Sequence, residues 1–443
     1  MARYLSAVGL CVLLHGAVAW ASHVGGPFSG PTAVSGGTAY WNPAAIDAER
    51  DDFSTLLELG VSPINVTYQR ADDPTTQRSF DKQQFSTLLP EPLFTIFSPT
   101  PVRWLKLQLG GYPLMGAGAR WPADGPQRYF SGNSQAYAYA GQAALLWVPN
   151  DSLSIAVAGL VAYNSVDVRS SIDFGAFANN MLGSEIFPYE DPILEGRTRI
   201  HATGWSTGGA LGVFGRPSRE LQLGAALLLP RDAHMVGKME LDASAPLQQT
   251  LPGFELDPSG RVDVYYPLPW ELHVGGAFDF GSTLVALQLW YSRRSVQQVI
   301  MASVTNASAE YVEGRQVSAK GVHDDWELAA RLEQQLTDAL RVAILLDFDP
   351  RYVPTESITP INLDFTRYEV DVGVRYRLAS YLDVAFTVGY VYLTTVHVTN
   401  SLYNPRASGD SGLSLPSANG DYAGNATKIG LGIELHWPRA RSK

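Results

Sequence analysis

Residues 426–437 read Ala-Thr-Lys-Ile-Gly-Leu-Gly-Ile-Glu-Leu-His-Trp, and this stretch decides the fold. Every second residue from Ile429 to Trp437 is apolar, whereas the residues between them are glycine, glutamate and histidine. A period of two residues predicts a β-strand with one apolar and one polar face. Such strands build either a soluble sandwich, which buries the apolar face, or a membrane barrel, which turns that face to the lipid.

The same alternation recurs through most of the chain, for example in residues 367–378 and 326–332. We predict fourteen strands, at about 53–69, 80–97, 102–112, 134–148, 152–168, 199–214, 219–230, 264–280, 283–297, 322–335, 339–349, 366–378, 382–396 and 424–437. Tight turns and long loops alternate between them, which is typical of outer-membrane barrels, as is an even number of strands. The sequence therefore predicts an all-β fold, a 14-stranded antiparallel transmembrane β-barrel that projects beyond the bilayer.

The composition argues against several other classes of protein. Of the 443 residues, 46% are hydrophobic and 17% are charged, which supports a folded chain and argues against disorder. The net charge of −11, without a basic block, argues against nucleic acid as a partner. No stretch beyond the N-terminus reaches about 20 continuous apolar residues, so a helical membrane protein is not expected.

The N-terminus has the pattern of a secretory signal peptide, which we assign to residues 1–21. Arg3 precedes a largely apolar run, and residues 19–21 (Ala-Trp-Ala) match a signal-peptidase site. The single cysteine, Cys11, lies inside this segment, so the mature chain is expected to contain no disulfide and no thiolate metal site. We predict export to the bacterial outer membrane.

Residues 22–50 differ from everything that follows. They are rich in Gly, Ser, Thr, Ala and Pro, show no sustained alternation, and end in a short acidic cluster. The segment is either a flexible leader or a compact hatch that occupies the lumen, for which small residues allow close packing. We assign 22–50 to a hatch, 51–437 to the barrel and 438–443 to a polar tail.

Within this leader, residues 36–45 (Gly-Gly-Thr-Ala-Tyr-Trp-Asn-Pro-Ala-Ala) resemble the segment with the NPA motif in the hatch of the FadL family. These proteins are outer-membrane channels for long-chain fatty acids and other hydrophobic compounds. Further resemblances follow in the same order, at 112–116, 120–122, 128–129, 268–272, 348–354 and 420–422. Two features depart from the family, because the leader before Asn42 is short and a tail follows Trp437, where such barrels usually finish on an aromatic residue.

The resemblance implies a monomeric channel whose hatch blocks the lumen and rearranges to pass ligand, and whose third strand opens sideways to the membrane. The matching hatch residues are Asn42, Pro43 and Ala44. In the third strand, Gly110, Gly111 and Pro113 are the residue types expected where ladder pairing weakens. The implied partners are a hydrophobic small molecule or fatty acid, with outer-membrane lipid and lipopolysaccharide around the barrel.

Two predicted long loops, 169–198 and 231–263, are unusually apolar. Their candidate ligand-capture residues are Phe174, Phe177, Met181, Leu182, Ile186, Phe187, Met235 and Met239. These side chains either pack the loops onto the barrel mouth or capture a hydrophobic ligand, and Met and Phe suit varied alkyl shapes. Arg331 and Arg375 are candidate partners for a fatty-acid carboxylate, although ion pairs with acidic residues on the same strand faces explain them more simply.

The predicted function is passive uptake of hydrophobic compounds, and two alternatives stay open. A general diffusion porin would need a polar constriction and no plug. An outer-membrane lipid hydrolase would need a serine close to a histidine, but His201 and Ser206 fall on opposite faces of one predicted strand. The sequence contains no metal or cofactor motif, so we predict a protein that is not an enzyme and has no cofactor or metal.

Overall fold

The computed structural model describes residues 24–34, 36–45, 52–72, 79–176, 179, 186–230, 232–243, 249, 259–308, 314–319, 321–402 and 417–437. The predicted signal peptide and polar tail lie outside these residues. The strands are β1 Phe53–Arg70, β2 Gln83–Pro99, β3 Leu105–Arg120, β4 Asn133–Asn150, β5 Leu153–Asp173, β6 Glu195–Gly215, β7 Leu221–Pro230, β8 Ala233–Ala243, β9 Ser259–Tyr266, β10 Glu271–Asp279, β11 Thr283–Ser292, β12 Val299–Thr305, β13 Gly314–Ala319, β14 Asp325–Gln335, β15 Leu340–Asp349, β16 Arg367–Ala379, β17 Leu382–Val398 and β18 Gly420–Trp437.

These segments form one closed antiparallel barrel. Each barrel strand pairs with its neighbours in the chain, and β1 closes the sheet against β18 from Phe53↔Trp437 to Arg70↔Gly420. Four barrel strands consist of two collinear segments each: β7 with β8, β9 with β10, β11 with β12 and β13 with β14. For example, β6 pairs with β7 over residues 208–215 and with β8 over residues 196–203. The described segments therefore make 14 barrel strands, and the predicted fold class is confirmed.

The sequence prediction was wrong about two long loops. Regions 231–263 and 298–321 were expected to be irregular, but β8, β9, β12 and β13 continue the wall there. Two predicted strands stopped at interruptions of the chain, because Pro230 ends β7 and a 3₁₀ turn at Arg294–Gln298 separates β11 from β12. The predicted strand 264–280, in contrast, ran through Pro267 and Pro269, which separate β9 from β10. Proline lacks the backbone N–H that a continuous ladder needs.

The outer face of the barrel is apolar and the inner face is small or polar. On β18, Ile429, Leu431 and Ile433 are 41–49% exposed on the outside, whereas Lys428 and Glu434 are buried inside. A sandwich would bury the apolar row, so the alternation belongs to a membrane barrel. No helix among the described residues is long and apolar enough to cross a membrane.

Exposed aromatic side chains lie in two belts around the outer surface. Tyr368 and Tyr376 on β16 are 50% and 47% exposed, and the eight residue steps from one to the other span roughly 26 Å of strand. At the usual strand tilt of about 35–45°, this length covers roughly 20 Å of the apolar band, which is about 25 Å tall. Other members of the belts are Trp104, Trp147, Trp205, Phe278, Phe280, Trp326, Tyr381, Tyr392 and Trp437.

The inner face carries a buried ion pair. The Lys428 ammonium lies 2.5 Å from Glu369 and 3.0 Å from Asp371 on β16. We expect Lys428→Met to lower the free energy of unfolding by about 3–5 kcal/mol, because it leaves two buried carboxylates without their cation. Urea unfolding of the barrel in lipid vesicles measures this loss.

The control for that prediction is Arg261→Met. Arg261 pairs with Asp263 at 3.1 Å, but its side chain is 54% exposed. Exposed pairs contribute about 1 kcal/mol or less. Equal losses in both variants would contradict a special role for the buried lysine.

Candidate functional site

The described part of the leader lies inside the barrel, and we call residues 24–45 the hatch. Nearly all of these residues are buried. Inward-facing side chains of the wall bind its backbone: Thr95 Oγ1 donates to Gly36 O at 2.6 Å, and Gln142 Nε2 donates to Ala39 O at 3.0 Å. On the opposite side, Arg331 Nη1 donates to Ser29 O at 2.9 Å. The hatch is therefore fixed to the wall from several directions.

Asn42 is the central anchor of the hatch. Its side-chain amide donates to Pro31 O at 3.0 Å and to Val213 O on β6 at 2.9 Å, and its Oδ1 accepts from Ala44 N at 3.0 Å. Glycines in the wall make room for this contact. A Cβ at Gly224 would lie 2.1 Å from Pro31 O, and one at Gly212 would lie 2.4 Å from Asn42 Oδ1. The sequence analysis did not identify these two glycines.

Tyr40 connects the hatch to two sides of the wall. Its ring packs 5.3 Å from Tyr112 of β3 and 5.2 Å from His273 of β10, and its hydroxyl donates to Glu271 at 3.2 Å. The Tyr112 hydroxyl donates in turn to Gln142 Oε1 at 2.7 Å. Sequence reasoning missed this cluster, because the inward direction of each side chain becomes clear only when the barrel is closed.

The wall has an opening beside the hatch. The β2–β3 ladder runs only from Pro99↔Lys106 to Phe94↔Gly111, although β3 continues along β4 to Arg120↔Asn133. Residues 88–93 and 112–117, all described, therefore face each other without a ladder, and we call this gap the window. Its rims contain Pro90, Pro92 and Pro113, which donate no backbone hydrogen bond. A β-bulge between Pro113 and Met115 interrupts the regular β3–β4 register at this rim.

The three residues predicted to weaken the third strand lie at the lower edge of the window. Gly110 and Gly111 are the last residues of β3 that pair with β2, and Pro113 follows after Tyr112. A Cβ at Gly111 would lie 1.9 Å from the Phe94 ring, and one at Gly110 would lie 3.0 Å from the Ala39 Cβ of the hatch. The hatch thus stands directly behind the lower edge of the window.

The lumen side of the window is mainly apolar. Leu93 and Tyr112 are buried in one apolar cluster with Tyr40, and Leu114 packs against it. The charged exception on the β2 rim is Glu91, whose carboxylate accepts a hydrogen bond from Ser62 at 2.6 Å. An apolar solute in the lumen would therefore contact mainly hydrocarbon side chains at this part of the wall.

The extracellular mouth is closed by residues 350–366, which we call the mouth loop. Residues 357–365 are all buried, and Trp121 Nε1 donates to Pro360 O at 2.9 Å. Asp364 accepts the backbone N–H groups of Tyr352 and Val353, both at 2.8 Å, and burial raises its pKa to about 6. The apolar side chains of the loop belong to clusters on both sides of the mouth, so it bridges the lumen.

No protein-family model and no curated protein sequence matches the chain. Solved structures do match. A FadL homologue of Pseudomonas aeruginosa superposes with a TM-score of 0.74 at 17% identity, covering 98% of both chains. The chain has the FadL-type fold. The toluene transporter TodX of P. putida gives 0.64 at 12% identity, covering 97% of this chain and 100% of that chain. The CymD monoaromatic hydrocarbon channel gives 0.61 at 11% identity, covering 96% of this chain and 98% of that one.

The FadL-type barrel places the predicted capture residues in different surroundings. Phe174 is buried and Ile186 is 64% exposed, whereas Phe177, Met181 and Leu182 lie outside the described residues. Phe187 is partly exposed. Met235 and Met239 are not on a loop, as predicted, but on β8, where they face the lumen in one apolar cluster with Ile361 of the mouth loop.

The two candidate carboxylate partners lie at the periplasmic end of this FadL-type barrel. They line a cavity of about 240 Å³ together with Phe28 of the hatch. Arg331 is 1% exposed and holds Ser29 O, and the Arg375 guanidinium lies 4.7 Å above the Phe28 ring. Both arginines therefore contact the hatch.

Proposed function

We propose that this FadL-type barrel is an outer-membrane channel for passive uptake of small hydrophobic compounds. The observation that carries the proposal is the apolar window beside a hatch, in a barrel whose extracellular mouth is closed by its own loop. Solved structures of similar fold include a toluene transporter and a monoaromatic hydrocarbon channel, which support the same kind of solute. The sheet closes on itself through β1 and β18, which supports a monomer surrounded by outer-membrane lipid and lipopolysaccharide.

The route we propose begins under the mouth loop and ends in the membrane. A solute binds first to the apolar cluster that contains Met235, Met239 and Ile361. A shift of the hatch then clears the lumen beside Tyr112, and the solute leaves through the window. Because this lateral exit leads directly into the membrane, the solute does not enter water. Exposure to water would cost about 0.8 kcal/mol for each methylene group.

We propose an uncharged solute as the preferred class, with long-chain fatty acids as the second candidate. Arg331 lies 3.5 Å from Glu333 and Arg375 lies 3.7 Å from Glu434, so a fatty-acid carboxylate would have to compete with the carboxylates already beside both side chains. The window rim contributes a carboxylate, Glu91, which repels a fatty-acid anion. A neutral hydrocarbon meets neither obstacle.

The two alternative functions receive less support. A general diffusion porin needs an open aqueous path, whereas the hatch and the mouth loop occupy this lumen. A hydrolase needs a nucleophile beside a base, but His201 is 51% exposed on the outer face, whereas Ser206 is buried and bonded by Asn164 at 2.9 Å. We therefore propose a transporter that performs no chemistry.

Uptake in whole cells tests this function. A strain lacking the chain and its complemented partner are given labelled toluene, labelled oleate or labelled glucose at low concentration. We expect complementation to raise the rate of toluene uptake at least threefold and to leave glucose uptake unchanged. Stimulation of oleate alone would assign the channel to fatty acids, and large steady conductance in planar bilayers would assign it to the porins.

A further inference from the structure

Three chemistry-bearing side chains meet at the periplasmic end of the inner wall. Asp383 begins β17, and Glu434 and His436 lie near the end of β18; all three are at least nine-tenths buried. Asp383 and Glu434 are direct partners across the two strands. One donor atom from each residue lies within 4.8 Å of the other two.

His436 has no hydrogen-bond partner for either ring nitrogen. An imidazole buried in this way normally satisfies both nitrogens, because an unpaired polar atom costs about 1–3 kcal/mol. Nε2 lies 3.6 Å from Asp383 Oδ2, which is longer than a hydrogen bond. Two ligand atoms bound to one zinc-sized ion, each about 2.1 Å from it, are separated by roughly 3.4 Å in a tetrahedral site. The spacing therefore suits a shared ion better than a direct contact.

Two arginines of β16 hold the carboxylates from the other side. Arg377 Nε lies 3.2 Å from Asp383 Oδ1, which leaves Oδ2 facing the histidine, and Arg375 Nη1 lies 3.7 Å from Glu434 Oε2. Ligand carboxylates are commonly oriented by hydrogen bonds such as the one from Arg377, whereas Arg375 acts on Glu434 through its charge. The positive charges also weaken the attraction for a cation, so we expect affinity in the micromolar range rather than the nanomolar range.

We infer that Asp383, Glu434 and His436 form a binding site for a divalent transition metal of the zinc class. One imidazole and two carboxylates are ligands that zinc accepts, with water in the remaining position. Calcium is disfavoured, because it takes six to eight oxygen ligands. The ion would join β17 to β18 beside the closing pair Phe53↔Trp437 and so stabilise the β17–β18 strand pair. The sequence analysis predicted no metal site, since Asp383 is too far along the chain from Glu434 and His436 to form a recognisable motif.

Calorimetric titration of the refolded, untagged, EDTA-treated barrel with ZnCl₂ tests the site. We expect one saturable site per chain and a loss of affinity of at least tenfold in His436→Ala. The matched control is His397→Ala, because His397 is also a histidine beside a carboxylate, 2.7 Å from Asp421, but is 68% exposed. This control is expected to bind zinc as the unmodified barrel does.

Several results would overturn the inference: no saturable binding to the unmodified barrel, unchanged affinity in His436→Ala, or an equal loss in His397→Ala. If His436→Ala fails to regain the folded gel mobility, Asp383→Asn takes its place with the same expected loss. Absorption of Co²⁺ bound in place of zinc gives a second readout, since a tetrahedral nitrogen–oxygen site produces a visible band that EDTA removes. Zinc binding does not depend on the transported compound. Failure of the proposed transport function and absence of zinc binding are therefore distinguishable results.

Discussion

A disulfide between positions 39 and 110 is expected to reduce hydrophobic uptake by more than tenfold. The Cβ of a residue at position 110 would lie 3.0 Å from the Ala39 Cβ, and disulfides need about 3.5–4.5 Å, so a small relaxation accommodates the bond in Ala39→Cys/Gly110→Cys. The bond would tie the hatch to β3 at the edge of the window. Because the single native cysteine, Cys11, lies in the predicted signal peptide, the mature variant should contain no competing thiol.

Reduction supplies the control for this experiment within one protein. Dithiothreitol is expected to restore uptake to the level of the two single variants, measured with labelled toluene in the complemented strain. Folded gel mobility must be the same in the oxidised and reduced forms. Full uptake by the oxidised double variant would contradict hatch movement and would leave a fixed path as the remaining route.

Closing the window is expected to give the second large loss. The variant Pro90→Val/Pro92→Val/Pro113→Val with Leu114 deleted supplies the three missing backbone donors and removes the bulge, so β2 and β3 can pair through the gap. We expect uptake to fall by more than tenfold while the barrel still folds, because the apolar exit to the membrane is sealed. Uptake assays and gel mobility of the same membranes measure both properties.

The matched control is Pro149→Val. Pro149 lies near the end of β4, nine residues beyond Ala140, the partner of Tyr112, so this substitution changes a strand proline that is distant from the window. Unchanged uptake is expected. If the window variant also transports at the normal rate, the solute leaves through the periplasmic end of the lumen, and the side exit is wrong.

The sequence predicted the strands where alternation is uninterrupted. On β18 and β16, the period of two residues identifies the outward face without any knowledge of neighbours, because a lipid-facing row must be apolar throughout. The extensions β8 and β12 were missed, since the breaks before them resemble loop beginnings. Whether the chain resumes the same barrel strand after a break depends on pairing with β6 and β9, which a local pattern does not contain.

The site was predictable in its parts but not in its assembly. Asn42 and Gly110 were identified from local residue types and from the family resemblance. The other rim of the window, at Pro90 and Pro92, was not identified. A proline is compatible with an unpaired strand edge, but it does not show which of the two neighbouring strands is unpaired at that position. The burial of residues 357–365 depends on the width of the barrel mouth, which emerges only after all strands are joined.

In the proposed route, the mouth loop and the hatch close the two ends of one apolar chamber and would act as two gates in series. The mouth loop faces the surroundings, and the hatch, held by Asn42, faces the cell. If the mouth loop and the hatch open in turn, no continuous column of water crosses the outer membrane. Ions, sugars and water-soluble antibiotics then cannot follow the transported solute through the barrel. A bacterium with such a channel could take up hydrophobic compounds without raising the permeability of its outer membrane to polar solutes.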